Sequence, residues 1–159
     1  MVPSFIDMPV LEYAAYPKKT YTFHVPKNEG FWFGENESWV YVSGNKALLG
    51  ITDWAQRIIG QMLYYQLPRA GDELAANEPY GQIESIKAVL ELISPVSGRV
   101  LEVNEDILDI PGIITESCYE KGWICCLELS DMENDSLDMM EFDEYWPLMK
   151  SKADNYQGR

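Results

Sequence analysis

The side chains with the most reactive chemistry in this 159-residue chain are three cysteines and a single histidine. A thiolate is a nucleophile and a metal ligand, and a histidine can act as a general base. Cys118, Cys125 and Cys126 lack the spacing of a zinc site, which needs about four convergent nitrogen or sulfur ligands. His24 stands alone in an aromatic-rich stretch, so a triad would depend on one badly placed residue. The sequence therefore predicts no metal site, no catalytic residues and no enzyme.

The cysteines also indicate the compartment. An odd number of cysteines, two of them adjacent, disfavours a disulfide framework and favours a reducing cytoplasm. Neighbours in a strand point to opposite faces, so we expect one of Cys125 and Cys126 to be buried and the other half-exposed. A thiol oxidoreductase using Cys118 with one of this pair is a less favoured alternative.

A lysine between two apolar strands is the remaining candidate. In Glu84-Ser85-Ile86-Lys87-Ala88-Val89 the pattern places Lys87 at the tip of a tight turn. By spacing alone this lysine is an ordinary solubilising turn residue. Any further role depends on the rest of the chain.

Short strands separated by turns dominate the middle of the chain. The turn pair Gly44-Asn45 lies between two strand-like runs at 39–42 and 47–51, which predicts a hairpin. Many short strands spaced by turns give a mostly β fold, a small sandwich or barrel. Further strands are predicted at 62–67, on both sides of Lys87, at 99–103 and at 123–129.

Helices are expected inside the chain and at its end. Asp53 as N-cap, with Gln56 as its capping-box partner, predicts a short helix from Thr52 to Ile59. Ser130 and Asp143 are the expected N-caps of two short C-terminal helices.

Composition suggests three regions. Residues 1–35 contain four of the nine prolines and have no clean period, which predicts an N-terminal arm laid over the body. No positively charged n-region precedes an apolar stretch there, so we expect no cleaved signal. Residues 36–130 form the predicted β core, and residues 131–159 the C-terminal helical segment and tail.

The chain is strongly acidic. It has 12 Lys+Arg against 26 Asp+Glu, a formal net charge of −14. Such a charge argues against nucleic acid and anionic membrane surfaces as partners and favours proteins with basic faces. The acidic run 128–144 is typical of a solvated face.

Five motifs follow one another in a recognisable order. They are Gly50-Ile51-Thr52-Asp53-Trp54-Ala55-Gln56, Leu67-Pro68-Arg69-Ala70-Gly71-Asp72-Glu73-Leu74, Glu84-Ser85-Ile86-Lys87-Ala88, Ser94-Pro95-Val96-Ser97-Gly98 and Gly122-Trp123. The series closely resembles the H protein of the glycine cleavage system, over roughly Ser38 to Trp146. The resemblance implies a lipoyl/biotinyl-type barrel-sandwich hybrid with a short internal helix and C-terminal helices.

The same resemblance assigns chemistry to the lysine turn. It implies that Lys87 carries lipoic acid through an amide bond, and that lipoate-attaching enzymes respond to Glu84 and Gly98. Biotin carriers flank their lysine with methionines, whereas Ile86 and Ala88 flank it here, so lipoate is the expected cofactor.

The resemblance also implies partners. These are a lipoate ligase or lipoyltransferase, aminomethyltransferase, glycine decarboxylase and dihydrolipoamide dehydrogenase. The chain is then a non-catalytic, monomeric carrier of an aminomethyl group, with its loaded arm packed against the body.

Some features depart from the family pattern. Glu37-Ser38-Trp39 replaces His-Glu-Trp, Gly60-Gln61 replaces Gly-Asp, Cys118 stands where proline is common, and the N-terminal arm is long. One alternative is therefore a lipoate-binding protein of bacterial sulfur oxidation acting with a heterodisulfide-reductase-like complex. Another is an unmodified acidic interaction module.

Overall fold

The computed structural model describes residues 2–3 and 6–156. The described residues leave out residues 1, 4 and 5 of the predicted arm and residues 157–159 of the predicted tail. Part of the segment in which no cleaved signal was expected therefore lies outside them. The described strands are β1 (Tyr13–Lys18), β2 (Tyr21–Pro26), β3 (Phe31–Phe33), β4 (Ser38–Ser43), β5 (Lys46–Ile51), β6 (Met62–Gln66), β7 (Glu73–Leu74), β8 (Glu78–Ser85), β9 (Val89–Ser94), β10 (Gly98–Val103) and β11 (Cys125–Leu129).

The helices are short except for the last one. A 3₁₀ turn over Ser136–Asp138 separates the final two. The α-helices are α1 (Asp53–Ile59), α2 (Asp106–Asp109), α3 (Ile113–Ser117), α4 (Met132–Asp135) and α5 (Phe142–Asn155). None of the helices in the described part of the chain is both long and apolar enough to cross a membrane.

The strands pair in three antiparallel sheets. The largest has the order β3-β4-β5-β11-β10-β7, the second the order β6-β8-β9, and β1 pairs with β2 alone. Side chains from both larger sheets join one hydrophobic cluster, including Trp39, Leu49, Ile83 and Leu92. The predicted mostly β fold with a short internal helix and C-terminal helices is confirmed, as is the β4–β5 hairpin around Gly44-Asn45.

The predicted cap of α1 was wrong by one residue. Thr52, in extended conformation, is the N-cap, and its Oγ1 accepts a hydrogen bond from the Ala55 backbone N–H at 3.2 Å. Asp53 is the first helical residue, and its carboxylate binds β2 instead of the helix backbone. The cap side chain must come from a residue outside helical geometry, which here is Thr52.

The C-terminal helices also begin at other residues than predicted. Asp131 and Glu141 occupy the N-cap positions expected for Ser130 and Asp143, and neither makes a side-chain cap bond. Helix α5 is held from the side instead. Tyr145 OH donates to buried Glu37 at 2.5 Å, and Lys152 pairs with the same carboxylate at 2.8 Å. Tertiary contacts therefore position this helix more than local capping does.

The N-terminal segment is more regular than its prolines suggested. Residues 13–26 form the β1–β2 hairpin, and β3 joins the six-stranded sheet beside β4. A two-stranded ladder leaves alternate N–H groups facing outward, so Pro17 fits opposite Thr22 without losing a sheet bond. The division of the chain at residues 35 and 130 stays a prediction.

The expectation of one half-exposed cysteine was wrong. Cys125 and Cys126 are both fully buried. They lie on β11, which runs between β5 and β10 in the interior of the six-stranded sheet. Both faces of this strand are covered, so alternation does not expose either thiol.

Candidate functional site

Two paired strands carry the lysine turn. Strands β8 and β9 form an antiparallel ladder in which Ile83 faces Leu90 and Glu84 faces Val89. Ile83 is buried and anchors the ladder to the core, whereas Glu84 and Val89 point to solvent. The ladder ends there, so the four residues 85–88 form a tight turn with Lys87 at its tip, as predicted.

A serine side chain closes this turn. Ser85 Oγ accepts hydrogen bonds from the backbone N–H of Lys87 at 3.2 Å and of Ala88 at 3.1 Å. The Ser85 backbone N–H donates to the Ala88 carbonyl at 2.8 Å. Because Ser85 is buried, its hydroxyl takes the place of water for these amides. This role of Ser85 was not predicted from the sequence, although a serine two residues before the tip is a known turn signal.

The end of α1 supports the turn from one side. A Cβ added at Gly60 would lie 3.5 Å from Lys87 Cε and 4.0 Å from Nζ, so the lysine stem runs past this glycine. Gly60 has φ of 77°, a backbone conformation that favours glycine. The Ile86 N–H also donates to the Gln61 carbonyl at 3.4 Å. The contact of these two residues with the lysine turn was not predicted from the sequence.

The ammonium group itself remains accessible. Lys87 is exposed, and within residues 2–3 and 6–156 no carboxylate lies within ion-pairing distance of its Nζ. The backbone of the turn is therefore fixed while its terminal amine is free to react. This combination suits a covalent attachment point.

The two residues predicted for enzyme recognition lie in different places. Glu84 is exposed at the base of the lysine turn. Gly98 lies beyond the far end of the six-residue strand β9, roughly 20 Å of strand away. A Cβ at Gly98 would meet the Glu128 carbonyl oxygen at 2.4 Å, so close packing of β10 on β11 requires glycine there. The structure therefore places Glu84, and not Gly98, beside Lys87.

The thiols are unsuited to redox or nucleophilic chemistry. All three are buried and unpaired. Burial raises the pKa of Cys118 and Cys125 well above the ordinary value and that of Cys126 to about 12. A thiolate is the reactive form, so these groups are inert at neutral pH. In the described part of the chain, no group of three metal-binding side chains comes together.

A groove of about 500 Å³ lies beside the far end of β9. Its wall includes Ile93, Pro95 and the acidic side chains of Glu35, Asp138 and Glu144. The packing of a loaded arm against the body stays a prediction.

These features define a class of protein. A β-sandwich body presents one exposed lysine on a braced hairpin, and its thiols are buried away from solvent. That is the construction of a carrier domain, which holds a prosthetic group on a lysine for other proteins to use.

The comparisons with known proteins identify the family. The family model described as glycine cleavage H-protein matches residues 31–152. The chain therefore belongs to the glycine cleavage H-protein family, whose members carry a lipoyl group on a lysine.

Relatives from distant organisms support the same family. The chain is 46% identical to the glycine cleavage system H protein of Halalkalibacterium halodurans, over 76% of this chain and 93% of the relative. It is 42% identical to the mitochondrial glycine cleavage system H protein 2 of Arabidopsis thaliana, over 71% and 72%. A crystal structure of a Mycobacterium marinum glycine cleavage system H protein superposes with a TM-score of 0.69, at 26% identity, over 77% of this chain and 98% of that one.

These findings decide between the alternatives. The resemblance and the lipoyl-type fold are confirmed, and the expectation of a carrier instead of an enzyme agrees with the family. The sulfur-oxidation alternative, with its heterodisulfide-reductase-like complex, finds no support in these relatives. Residues 1–30, which include the β1–β2 hairpin, lie outside the family match.

Proposed function

We propose that Lys87 is the lipoyl attachment site and that the chain carries an aminomethyl group between enzymes of glycine cleavage. The supporting observation is the exposed Lys87 amine on a turn that Ser85 closes and Gly60 supports. Attachment joins Lys87 Nζ to the carboxyl carbon of an activated lipoyl donor, with loss of the donor's leaving group and one amine proton.

The residues present fit such a group. The free amine supplies the attachment atom, and the braced backbone limits where the arm starts. When bound, the lipoyl group supplies thiol–disulfide chemistry. The chain supplies position and a high effective concentration at a partner's site. Glu84 is proposed as a recognition residue for the attaching enzyme, and Gly98 as a second one that acts through the backbone of β10.

The acidic surface favours the proposed partners. A formal net charge of −14 attracts basic faces and accelerates encounter at low salt. The proposed partners are a lipoate ligase or lipoyltransferase, aminomethyltransferase, glycine decarboxylase and dihydrolipoamide dehydrogenase. A cytoplasmic location and a monomeric state stay predictions.

Intact mass tests the attachment. The protein is purified from cells supplied with lipoate and a matching ligase, beside Lys87→Arg and the control Lys121→Arg, which changes another exposed lysine. One lipoyl increment on the native chain and the control, and none on Lys87→Arg, is expected. No increment on a folded native chain would instead favour the unmodified interaction module.

A further inference from the structure

The outer face of the sheet β6-β8-β9 continues directly from the lysine turn. Paired residues in an antiparallel ladder share a face, and alternate pairs face opposite sides. Ile83 points into the core, so the pairs on either side of it face outward. Two cross-strand rows make up this outer face: Tyr64, Glu84 and Val89 next to the turn, then Gln66, Gln82 and Glu91.

Large apolar side chains are exposed around this turn. The exposed fractions are 67% for Tyr64, 56% for Val89, 71% for Ile86 and 44% for Leu63. Single exposed apolar residues are normal on a protein surface, but a contiguous group of them indicates an interaction site. Tyr64 and Val89 are separated only by Glu84, so their row spans about 10 Å of surface.

The charges on the outer face have one sign. Glu84 and Glu91 are carboxylates, and none of the six positions is a lysine or an arginine. The surface thus offers two apolar side chains, Tyr64 and Val89, on either side of the Glu84 carboxylate, with Glu91 in the next row. A complementary surface has a cation opposite the carboxylates and apolar side chains opposite Tyr64 and Val89.

We propose that the outer face is the docking surface for the enzyme that acylates Lys87, with Tyr64 and Val89 as its apolar contacts and Glu84 and Glu91 as its acidic contacts. This inference rests on the proposed attachment of lipoate to Lys87. An enzyme that forms the amide must reach Nζ, which stands only four methylenes from the turn backbone, so the ladder beside the turn is the nearest protein surface for it to contact. Val89 follows Lys87 by two residues and begins the row that such an enzyme meets first.

Transfer kinetics test the docking surface. The substrates are the unmodified full-length chain, its Tyr64→Ser/Val89→Ser variant and a control, Val10→Ser/Leu108→Ser. The control removes two apolar side chains of 91% and 60% exposure at other places. A lipoate ligase with lipoic acid and ATP supplies the acyl group, and intact mass gives initial rates. We expect kcat/KM to fall at least tenfold for the first variant through a higher KM, with kcat nearly unchanged and the control like the native chain.

Other results are equally informative. An unchanged kcat/KM in the folded double variant, or a loss confined to kcat, would overturn the docking surface while leaving Lys87 as the attachment site. Failure of the native chain to accept lipoate would overturn the proposed function itself. If the double variant has a lowered unfolding midpoint, Glu91→Lys replaces it, because it places a cation on an exposed strand position. Its kcat/KM should fall several-fold at low salt and recover toward native at high salt, and no fall would contradict the acidic contacts.

Discussion

Two hairpins of this molecule are fixed in opposite ways. The β1–β2 hairpin is held by side-chain contacts with two helices, α1 and α5, and with the loop after α3. The tip of the β8–β9 hairpin is held by backbone and serine contacts within its own turn and by the Gly60–Gln61 loop. The first hairpin lies outside the family match, and the second carries Lys87, the proposed attachment site.

A buried carboxylate anchors the first hairpin. Asp53, at the start of α1, accepts hydrogen bonds from Tyr21 OH at 2.5 Å, the His24 backbone N–H at 2.8 Å and Gln56 Nε2 at 2.6 Å. Phe23 packs on the Trp54 ring nearby, with centroids 5.6 Å apart. Side-chain contacts of this kind fix one face of the hairpin to the body, while alternate residues of β1 stay exposed.

The lysine hairpin is anchored at its base and exposed at its tip. Its anchor, Ile83, lies below the turn, and the residues around Lys87 face solvent. Bracing through Ser85 and Gly60 holds the backbone without covering the amine. The difference teaches that contacts from Ser85 and the neighbouring Gly60–Gln61 loop can stiffen the backbone of a turn without covering the side chain at its tip.

The largest effect should come from removing the anchor of the first hairpin. Asp53→Ala leaves buried donors without an acceptor and should lower the free energy of unfolding by about 3 kcal/mol. Chemical denaturation measures this loss. Asp72→Ala is the matched control, because exposed Asp72 accepts one backbone bond from Arg69 at 2.9 Å, and it should cost under about 1 kcal/mol.

The Asp53→Ala variant also tests whether the two hairpins are held independently. If the two hairpins are independently held, Asp53→Ala should accept lipoate on Lys87 at the native rate below its unfolding temperature. A transfer rate that falls in proportion to stability would show that the two hairpins are coupled.

A smaller and more local effect is expected at the lysine turn. Ser85→Ala removes the acceptor for two turn amides and should lower the free energy of unfolding by about 1 kcal/mol. The looser turn should slow lipoate transfer to Lys87 several-fold. Ser97→Ala is the control, since Ser97 Oγ accepts the Ala76 N–H at 3.1 Å in another turn. Equal transfer rates for both variants would show that Ser85 has no special role.

The two hairpins also differ in how far sequence reveals them. Alternating apolar residues on both sides of Lys87 predicted β8, β9 and the turn, because strand periodicity is a local property. The β1–β2 hairpin was not predicted, because Pro17 and Pro26 disfavour strands in isolation. The hairpin is instead anchored by Asp53, which is 32 residues from Tyr21 and 29 from His24 along the chain. Likewise, the role of Gly60 beside Lys87 arises from tertiary contact, which no local pattern shows.

The smallest expected effect is on hydrogen exchange in the β1–β2 hairpin, and it depends on pH. The hydrogen bond from Tyr16, together with that from Lys18, lowers the pKa of Asp154 below its ordinary value of 3.8. A carboxylate with a lowered folded pKa contributes stability above its unfolded pKa and loses it as pH falls through the folded pKa. Asp154→Asn should therefore expose the β1 amides to faster hydrogen exchange at pH 7, and the difference from the native chain should shrink as the pH falls through the lowered pKa of Asp154. The amides around Lys87 should exchange alike in both proteins. If the two proteins still differed in exchange rate in acid, Asp154 would stabilise the hairpin through contacts that do not depend on its charge.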